Sequence, residues 1–128
     1  MTRTAVATPA APVALGPYSQ AIIAQGLVFC SGMPGIDPST GTVPEGIEAQ
    51  TERALTNLEA VLTAAGSSLS HLVRTTIFYA EVQDFAALNA VYERFMPDPP
   101  PARSAPANVR LPRGLLVSID AIATLGES

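Results

Sequence analysis

The chain combines several short strand-like runs with only two helical segments, and this ratio limits the folds it can adopt. Apolar residues with a helical period predict helices at about 47–65 and from an Asp84 cap to about Met96. The predicted strands lie at 21–32 (two strands around a Gln25-Gly26 turn), 73–80, 102–109 and 115–124, with a weaker candidate in the N-terminal RTAVA. The order strand, strand, helix, strand, helix, strand, strand predicts an α+β fold.

Two helices cover one face of a five- or six-stranded sheet, yet these strands are apolar on both sides. The runs AII, LVF, TIFY and LLV show this clearly. The face without helices therefore needs another layer. A chain of 128 residues, which we interpret as a single domain over 1–128, has no segment left to supply it. We therefore predict that other subunits do so and that the protein is an obligate oligomer.

Glycine and proline residues predict where the elements end. Gly66 is a natural stop for the first helix, and Pro97 ends the second. Residues 33–46 are dense in both residue types and are predicted to form a loop. Four apolar residues and one amide share a face of the second helix: Phe85, Leu88, Tyr92 and Phe95, with Asn89.

Charge and hydropathy disfavour two classes of partner. The formal net charge is −4 and the pI is about 4.8, whereas a nucleic-acid binder needs a basic patch against phosphates. No apolar run reaches the length of a membrane span. One cysteine leaves no intrachain disulfide, which fits a cytoplasmic location.

The residue types present exclude several kinds of catalysis. All seven basic residues are arginines, so a lysine Schiff base is excluded. One histidine and one cysteine provide no zinc cluster, and a Ser-His-Asp or Cys-His site would have to use His71. The simplest interpretation makes His71 a surface loop residue and Cys30 a small buried strand residue. We therefore predict no metal and no cofactor.

The segment PDPPPARSAPANVRLP (97–112) contains six prolines in sixteen residues. Pro99, Pro100 and Pro101 fix φ and favour a stiff, extended conformation. In an extended RSAPANV run, four side chains point to one side: Arg103, Ala105, Ala107 and Val109. Arg103 carries the only charge there, which suits either a bidentate contact with a ligand carboxylate or a salt bridge across a subunit interface.

Four motifs in order, GPYSQA (16–21), SGMPGIDPSTG (31–41), DFAALNAVYERF (84–95) and PARSA (101–105), resemble the Rid family of reactive intermediate deaminases, also called the YjgF family. The resemblance implies a chorismate-mutase-like fold with two helices on one face of a mixed sheet. It also implies a homotrimer with sites at subunit interfaces. The best-known members of this family hydrolyse enamines and imines, such as 2-aminoacrylate and 2-iminopropanoate, to the keto acid and ammonia without metal or organic cofactor.

The resemblance also implies roles for five residues. Arg103 matches the arginine that grips the substrate carboxylate, and Tyr18 matches a tyrosine beside the pocket. Ser31 and Gly32 match residues that line it, and Asn89 matches the asparagine of the second helix. Three of these positions also have a purely structural alternative, namely interface packing for Tyr18, a bulge at Gly32 and a helix-to-loop hydrogen bond for Asn89, and we favour the role in the site.

Two positions depart from the family pattern. Ala105 stands where many members carry cysteine. Ser118 stands in VSIDAIA where the family has the first glutamate of an IEIEAIA-like strand, the residue thought to activate the hydrolytic water. Serine is a poor general base without a neighbouring histidine. Asp120 matches the second acidic position and points to the same side, but about 6.6–6.8 Å further along the strand.

Two functions therefore compete. The first is hydrolysis of imines of small 2-amino acids, with Arg103 holding the carboxylate and Ser118 and Asp120 as candidates to handle the water. The second is a divergent Rid-family protein that binds, isomerises, cyclises or condenses a carboxylate-bearing intermediate in a specialised pathway. A nuclease or translation inhibitor ranks third because the chain is acidic. Ser118 is the residue that separates the first two.

Overall fold

One mixed sheet and two helices form the fold in the computed structural model, which describes residues 2–126. The helices are α1, Ile47–Ala64, and α2, Phe85–Phe95. The strands are β1, Thr4–Val6; β2, Ala21–Ala24; β3, Leu27–Pro34; β4, Leu72–Tyr79; β5, Ala102–Ser104; and β6, Val117–Thr124. The predicted α+β class and the order of elements are confirmed, including the N-terminal strand.

The six strands are arranged in the order β1-β2-β3-β6-β4-β5. Neighbouring strands are antiparallel except β4 and β5, which are parallel, so the sheet is mixed. A two-residue turn joins β2 to β3, with positive φ at Gln25 (56°) and Gly26 (74°). The conformation of this turn matches the twist of the flanking strands. The tight turn predicted at Gln25-Gly26 is therefore confirmed.

The helices pack on one face of the sheet. Val28 of β3, Ile77 of β4 and Ile119 of β6 point to this face and are fully buried with Leu58 and Leu62 of α1. Their side chains form the centre of the core, since each removes a large apolar area from water. The alternation along β6 makes the two faces distinct, because every second residue from Val117 to Ala123 is buried and those between are half-buried.

The other side of the sheet is called the open face here, and it carries Phe29, Phe78, Ser118, Asp120 and Ile122. No α-helix within residues 2–126 packs on it, and Phe29 is 40% exposed. The prediction of an apolar surface is only partly right, since Ser118 and Asp120 stand among the apolar residues. The pairing of Thr76 with Asp120 adds a further polar residue to this face.

Two β-bulges interrupt the ladders beside β6. In β3 the register shifts between Cys30 and Met33, so that Ser31 and Gly32 lie where one extra residue is inserted. A second shift lies between Leu72 and Arg74 in β4. Bulges re-aim side chains and bend the strand. The one in β3 therefore sets the direction of a segment predicted to line the pocket.

Several element ends differ from the predictions. Asp84 has helical φ and ψ and forms no side-chain cap, because a 3-10 turn over Val82–Asp84 leads directly into α2. The last strand begins at Val117 rather than 115, since a 3-10 turn occupies Pro112–Gly114. The bulge extends β3 to Pro34, so residues 33 and 34 belong to a strand and not to the predicted loop.

The end of α1 agrees with the prediction from Gly66. This residue has φ of 86°, which glycine adopts at little cost. Its N–H donates to the Thr63 carbonyl at 3.1 Å, and the Ser67 N–H donates to the Leu62 carbonyl at 2.8 Å. The paired bonds form a Schellman motif that satisfies the last carbonyls of the helix.

Asn57 of α1 joins the helix to the segment that follows β3. It is fully buried, and its Nδ2 donates to the Pro34 carbonyl at 2.8 Å and to the Ile36 carbonyl at 2.9 Å. Its Oδ1 accepts from Nε and Nη2 of Arg53, at 3.1 and 2.8 Å. One side chain thus satisfies a partly buried and a buried backbone acceptor and fixes the start of the loop.

We expect Asn57→Leu to lower the free energy of unfolding by about 2–6 kcal/mol, because the partly buried Pro34 carbonyl and the buried Ile36 carbonyl lose their donors at about 1–3 kcal/mol each. Urea titration at one fixed protein concentration measures the change. Glu59→Gln, an exposed position two residues along the same helix, is the control and should stay within about 0.5 kcal/mol. A leucine variant as stable as the unmodified protein would show that this bridge contributes nothing.

Candidate functional site

Arg103 lies on β5 and points to the helix side of the sheet. It pairs with the buried Thr75 of β4 in a parallel register, and paired residues share a face. Its Nη1 donates to Oδ1 of Asn89 at 2.6 Å. Its Cζ lies 5.5 Å from the ring centroid of Phe85 and 5.1 Å from that of Tyr92. Two of the predicted site residues, Arg103 and Asn89, are therefore brought together.

The positive charge of Arg103 has no carboxylate partner in the described part of the chain. The one ion pair found within residues 2–126 joins Arg94 to Glu52, both exposed, at 3.4 Å. Arg103 is half-buried, and its contacts are an amide oxygen and two ring faces, all uncharged. Such contacts stabilise a cation without neutralising it. The guanidinium can therefore still bind an anion.

A cleft of about 330 Å³ opens beside this arginine between α2 and the proline segment. Its lining combines polar and apolar side chains: Asn89, Tyr92, Glu93, Met96, Pro100, Pro101 and Arg103. Arg103 is the one cation and Glu93 the one acid among them. A single cation beside apolar walls fits a small acid with a short aliphatic chain.

Ala105 follows Arg103 with the alternation that the sequence predicted. Residues 103, 105, 107 and 109 are half-buried, and those between them are exposed. Ala105 and Ala107 pack against the core. The strand itself ends at Ser104, and Asn108 has φ of 61°, so the predicted extended run 102–109 is only partly regular.

A second group of predicted site residues gathers around the bulge of β3. Oγ of Ser31 donates to the Ser19 carbonyl at 2.6 Å, which ties the bulge to the segment that carries Tyr18. Gly32 lies against Ser118 of β6, since a Cβ placed on Gly32 would be 2.8 Å from Oγ of that serine. A side chain at position 32 would collide with Ser118, so the bulge alone does not account for the glycine.

Tyr18 is half exposed at the edge of this second group. Its hydroxyl accepts a hydrogen bond from the Leu15 N–H at 3.3 Å, and its ring lies within 3.7 Å of where a Cβ on Gly16 would stand. The tyrosine therefore closes a short turn of the N-terminal segment. The residue is 50% exposed, so it remains available for contact with another molecule.

Asp120 lies on the open face two residues after Ser118. It pairs with Thr76 of β4 across the sheet.

Burial, and to a lesser extent the negative charge of Asp120, raises the pKa of Cys30 to about 12. The thiol is therefore protonated at neutral pH and cannot serve as a nucleophile. The interpretation of Cys30 as a buried strand residue is confirmed.

The two groups of residues do not meet within one chain. β4 lies between β6 and β5, so Ser118 and Arg103 are two strand spacings apart across the sheet, about 9–10 Å. They are also offset by three residues along it, because Ser118 pairs with Phe78 and Arg103 with Thr75. They also point to opposite faces of the sheet, Ser118 to the open face and Arg103 to the helix side. One small substrate cannot contact both in a single protomer.

The remaining candidates for chemistry lie apart from both groups. His71 ends the 3-10 turn Leu69–His71, and its Nδ1 lies 2.7 Å from Oγ of Ser68. Among residues 2–126, no three side chains of the histidine, cysteine or acidic types come together as metal ligands. None of the helices in this part of the chain has the length and hydropathy needed to cross a bilayer.

The structure adds two residues to the site that were predicted only to share a face of the second helix. Phe85 and Tyr92 contact Arg103, and they stand four residues before and three after Asn89. The sequence did contain a signal, because all three share one face of α2 and one of them is polar. Without the position of β5, that face could not be distinguished from ordinary helix packing.

Comparison with known proteins agrees with this architecture. Residues 8–125 match the family described as Endoribonuclease L-PSP. The chain is 47% identical to Reactive Intermediate Deaminase A, chloroplastic, of Arabidopsis thaliana, over 94% of this chain and 65% of that protein. It is 39% identical to a 2-iminobutanoate/2-iminopropanoate deaminase of Capra hircus, over 98% of this chain and 93% of the relative.

A solved structure has nearly the same backbone. The crystal structure of an L-PSP protein from Entamoeba histolytica superimposes with a TM-score of 0.93 at 45% identity. The match covers 97% of this chain and 100% of the other. Both the length of the match and the level of identity exceed what a shared fold alone requires. The chain therefore belongs to the L-PSP family, the group of the reactive intermediate deaminases that its motifs resemble.

Proposed function

We propose that the protein is a deaminase that hydrolyses imines of small 2-amino acids, such as 2-iminopropanoate and 2-iminobutanoate, to the 2-keto acid and ammonia. The names of relatives that match over nearly their whole length support this reaction class. The observation that carries the proposal is the half-buried guanidinium of Arg103, which has no carboxylate partner within residues 2–126 and faces a cleft sized for a small acid.

The proposed site uses the fork of Arg103 to bind the substrate carboxylate. An arginine can donate two parallel N–H bonds to a carboxylate, which fixes the orientation of the acid as well as its position. Asn89 occupies Nη1 and so limits the directions in which the fork can turn. The imine carbon, next to the carboxylate, is then held at a defined distance from the arginine.

The proposed assembly is a homotrimer in which two protomers complete each site. Arg103 and Ser118 stand on opposite faces of one sheet, and the open face carries half-exposed apolar side chains that a second copy would cover. A neighbouring protomer that packed its β5 edge on this face could bring its own cleft towards the Ser118 group of the first. The single cysteine is consistent with a cytoplasmic enzyme.

The proposed reaction needs one water molecule and no cofactor. Water adds to the imine carbon, so that a C–O bond forms and the nitrogen takes up a proton. The C–N bond of this tetrahedral adduct then breaks, ammonia leaves and the carbonyl forms. The Ser118 hydroxyl can hold the water by a hydrogen bond, but it cannot remove a proton near pH 7. We therefore expect slow hydrolysis with this serine.

The assembly has a direct test. Sedimentation equilibrium at micromolar concentration should give a mass of about three times 13.3 kDa. The physical reason is the exposed apolar area of the open face, which is costly to leave in water. A folded protein that stays monomeric under these conditions would contradict both the trimer and the shared site.

The role of Arg103 can be measured by binding of pyruvate or 2-oxobutyrate in a calorimeter. Arg103→Ala should weaken binding by about 2–5 kcal/mol, the cost of losing one partner of a charge-assisted pair. Arg103→Lys should recover only part of the loss, because it retains the charge without the fork.

Arg94→Ala is the matched control, since Arg94 is 62% exposed and pairs with Glu52 away from the cleft. It should bind the keto acids as the unmodified protein does. Equal binding by the Arg103→Ala protein, in an unchanged oligomeric state, would remove Arg103 from the proposed site.

The water-handling step is tested by Ser118→Glu. A positioned general base contributes about 10²–10⁴-fold, so this variant should hydrolyse 2-iminopropanoate faster than the unmodified protein. Ser118→Gln is the control, because it has nearly the same size as glutamate without a basic carboxylate. An amino-acid oxidase generates the imine, and its capture by semicarbazide reports how much escapes hydrolysis.

Two results would change the proposal in different ways. Fast hydrolysis by the unmodified protein that Ser118→Glu does not improve would assign the water to another group, first of all Asp120. No hydrolysis by either form would favour a divergent protein that binds or transforms another carboxylate-bearing intermediate. Keto-acid binding and oligomeric state must first be unchanged in the variant, because a glutamate at 118 lies close to Gly32 and Asp120.

A further inference from the structure

Two aromatic rings of α2 form the immediate surroundings of the Arg103 guanidinium. Phe85 and Tyr92 are seven residues apart, two helical turns, and therefore lie on one stripe of the helix. Their ring centroids are 5.5 and 5.1 Å from Cζ of Arg103, within the range of a cation–π contact. Asn89 stands between them and accepts from Nη1 at 2.6 Å.

Each ring is held in turn by a residue of β4. The Tyr92 hydroxyl and Oγ1 of Thr75 lie 2.6 Å apart in the buried core. The ring of Tyr79 packs against Phe85 with centroids 5.8 Å apart and planes at 35°. Side chains locked by packing and by a buried hydrogen bond have few alternative rotamers. The two rings therefore present a rigid surface to Arg103.

The same strand also fixes the segment that carries the arginine. The Tyr79 N–H donates to the Pro106 carbonyl at 3.3 Å, and the Tyr79 carbonyl accepts from the Val109 N–H at 3.0 Å. The backbone on both sides of residue 107 is thus tied to β4. Tyr79 thereby anchors both Phe85 and the chain beyond Arg103 to the same strand.

Tyr92 stabilises the arginine without cancelling its charge. Burial raises the pKa of Tyr92, an effect that its hydrogen bond with Thr75 and the charge of Arg103 only partly oppose, so the phenol is neutral at physiological pH. A neutral ring attracts the cation through its quadrupole alone. An aspartate in the same place would fix the arginine equally well but would compete with the ligand carboxylate.

We infer that Tyr92 and Phe85 are positioning residues that hold the guanidinium of Arg103 over α2, with its remaining N–H groups directed at the cleft. This inference rests on the proposed role of Arg103 in carboxylate binding. A long arginine side chain loses much rotamer freedom when it binds an anion. Rings that restrict it beforehand reduce that loss and so tighten binding.

Three variants test the inference in the full-length protein. Tyr92→Leu removes the ring, and Tyr92→Phe keeps the ring but loses the hydrogen bond to Thr75. Phe95→Leu is the control: it removes another partly buried aromatic residue of α2, for which no contact with Arg103 is found within residues 2–126. The first readout is the ¹⁵N relaxation of the Arg103 Nε–H group, assigned by the loss of its signal in Arg103→Lys. The second is the Kd for 2-oxobutyrate.

We expect Arg103 Nε to be as ordered as the backbone in the unmodified protein and mobile in Tyr92→Leu. The Kd of that variant should rise by about 3- to 10-fold, the effect of losing one cation–π contact. Tyr92→Phe should restore the order and most of the affinity, although it is less stable. Phe95→Leu, with a comparable loss of stability, should leave both readouts unchanged.

The last variant is chosen to leave the stability of the protein unchanged. Replacing Phe85 with 3,4,5-trifluorophenylalanine keeps the size of the ring and removes its negative face, so Arg103 should become more mobile. Unchanged order of Arg103 in both Tyr92→Leu and the fluorinated protein would overturn the inference. If the unmodified protein binds no keto acid, the proposed function fails, whereas the relaxation of Nε still decides whether the rings hold Arg103.

Discussion

The parallel pairing of β5 with β4 is the contact on which the arrangement of the site depends. It is three residues long and lies at one edge of the sheet, yet it places Arg103 opposite Thr75 and therefore on the helix side. A shift by one residue would turn Arg103 to the open face, because strand side chains alternate. The arginine would then lose Asn89 and both rings of α2. The register of a short edge strand thus determines where an anion can bind.

The two groups of candidate site residues lie on opposite faces of the sheet. The helix side holds a cation in contact with uncharged groups, and the open face holds Ser118 and Asp120 among apolar side chains. Neither side has a complete set of groups for hydrolysis. In the proposed trimer, activity therefore depends on assembly, and not only stability. Loss of the proposed subunit contacts would separate the proposed binding group of one protomer from the proposed water-handling group of another.

The sequence predicted the elements well and their relations less well. The two helices, the tight turn at Gln25-Gly26 and the helix stop at Gly66 follow from local chemistry, and the structure confirms each of them. The start of the last strand at Val117 and the irregular part after Ser104 depend on a 3-10 turn and on positive φ at Asn108. Proline, glycine and asparagine are typical turn residues, but they do not define at which residue the neighbouring strand begins or ends.

In the site, too, local features could be predicted from the sequence, whereas the relative positions of distant residues could not. The alternation of residues 103 to 109 and the proximity of Asn89 to Arg103 could be expected from the motifs. The separation of Arg103 from Ser118 could not, because it depends on the order of strands in the sheet and not on any one segment. For the same reason the contact of Phe85 and Tyr92 with Arg103 could not be expected, since it depends on the position of β5 over their ring faces.

The buried thiol of Cys30 has a practical consequence. With a pKa of about 12, the thiol stays protonated at pH 7, and the side chain is buried on a strand between β2 and β6. Alkylating reagents need a thiolate that they can reach. Their rate of reaction with this chain, which has one cysteine, therefore reports how often the middle of the sheet opens. Cys30 can therefore be used to measure local opening of the sheet, and it takes no part in the proposed reaction.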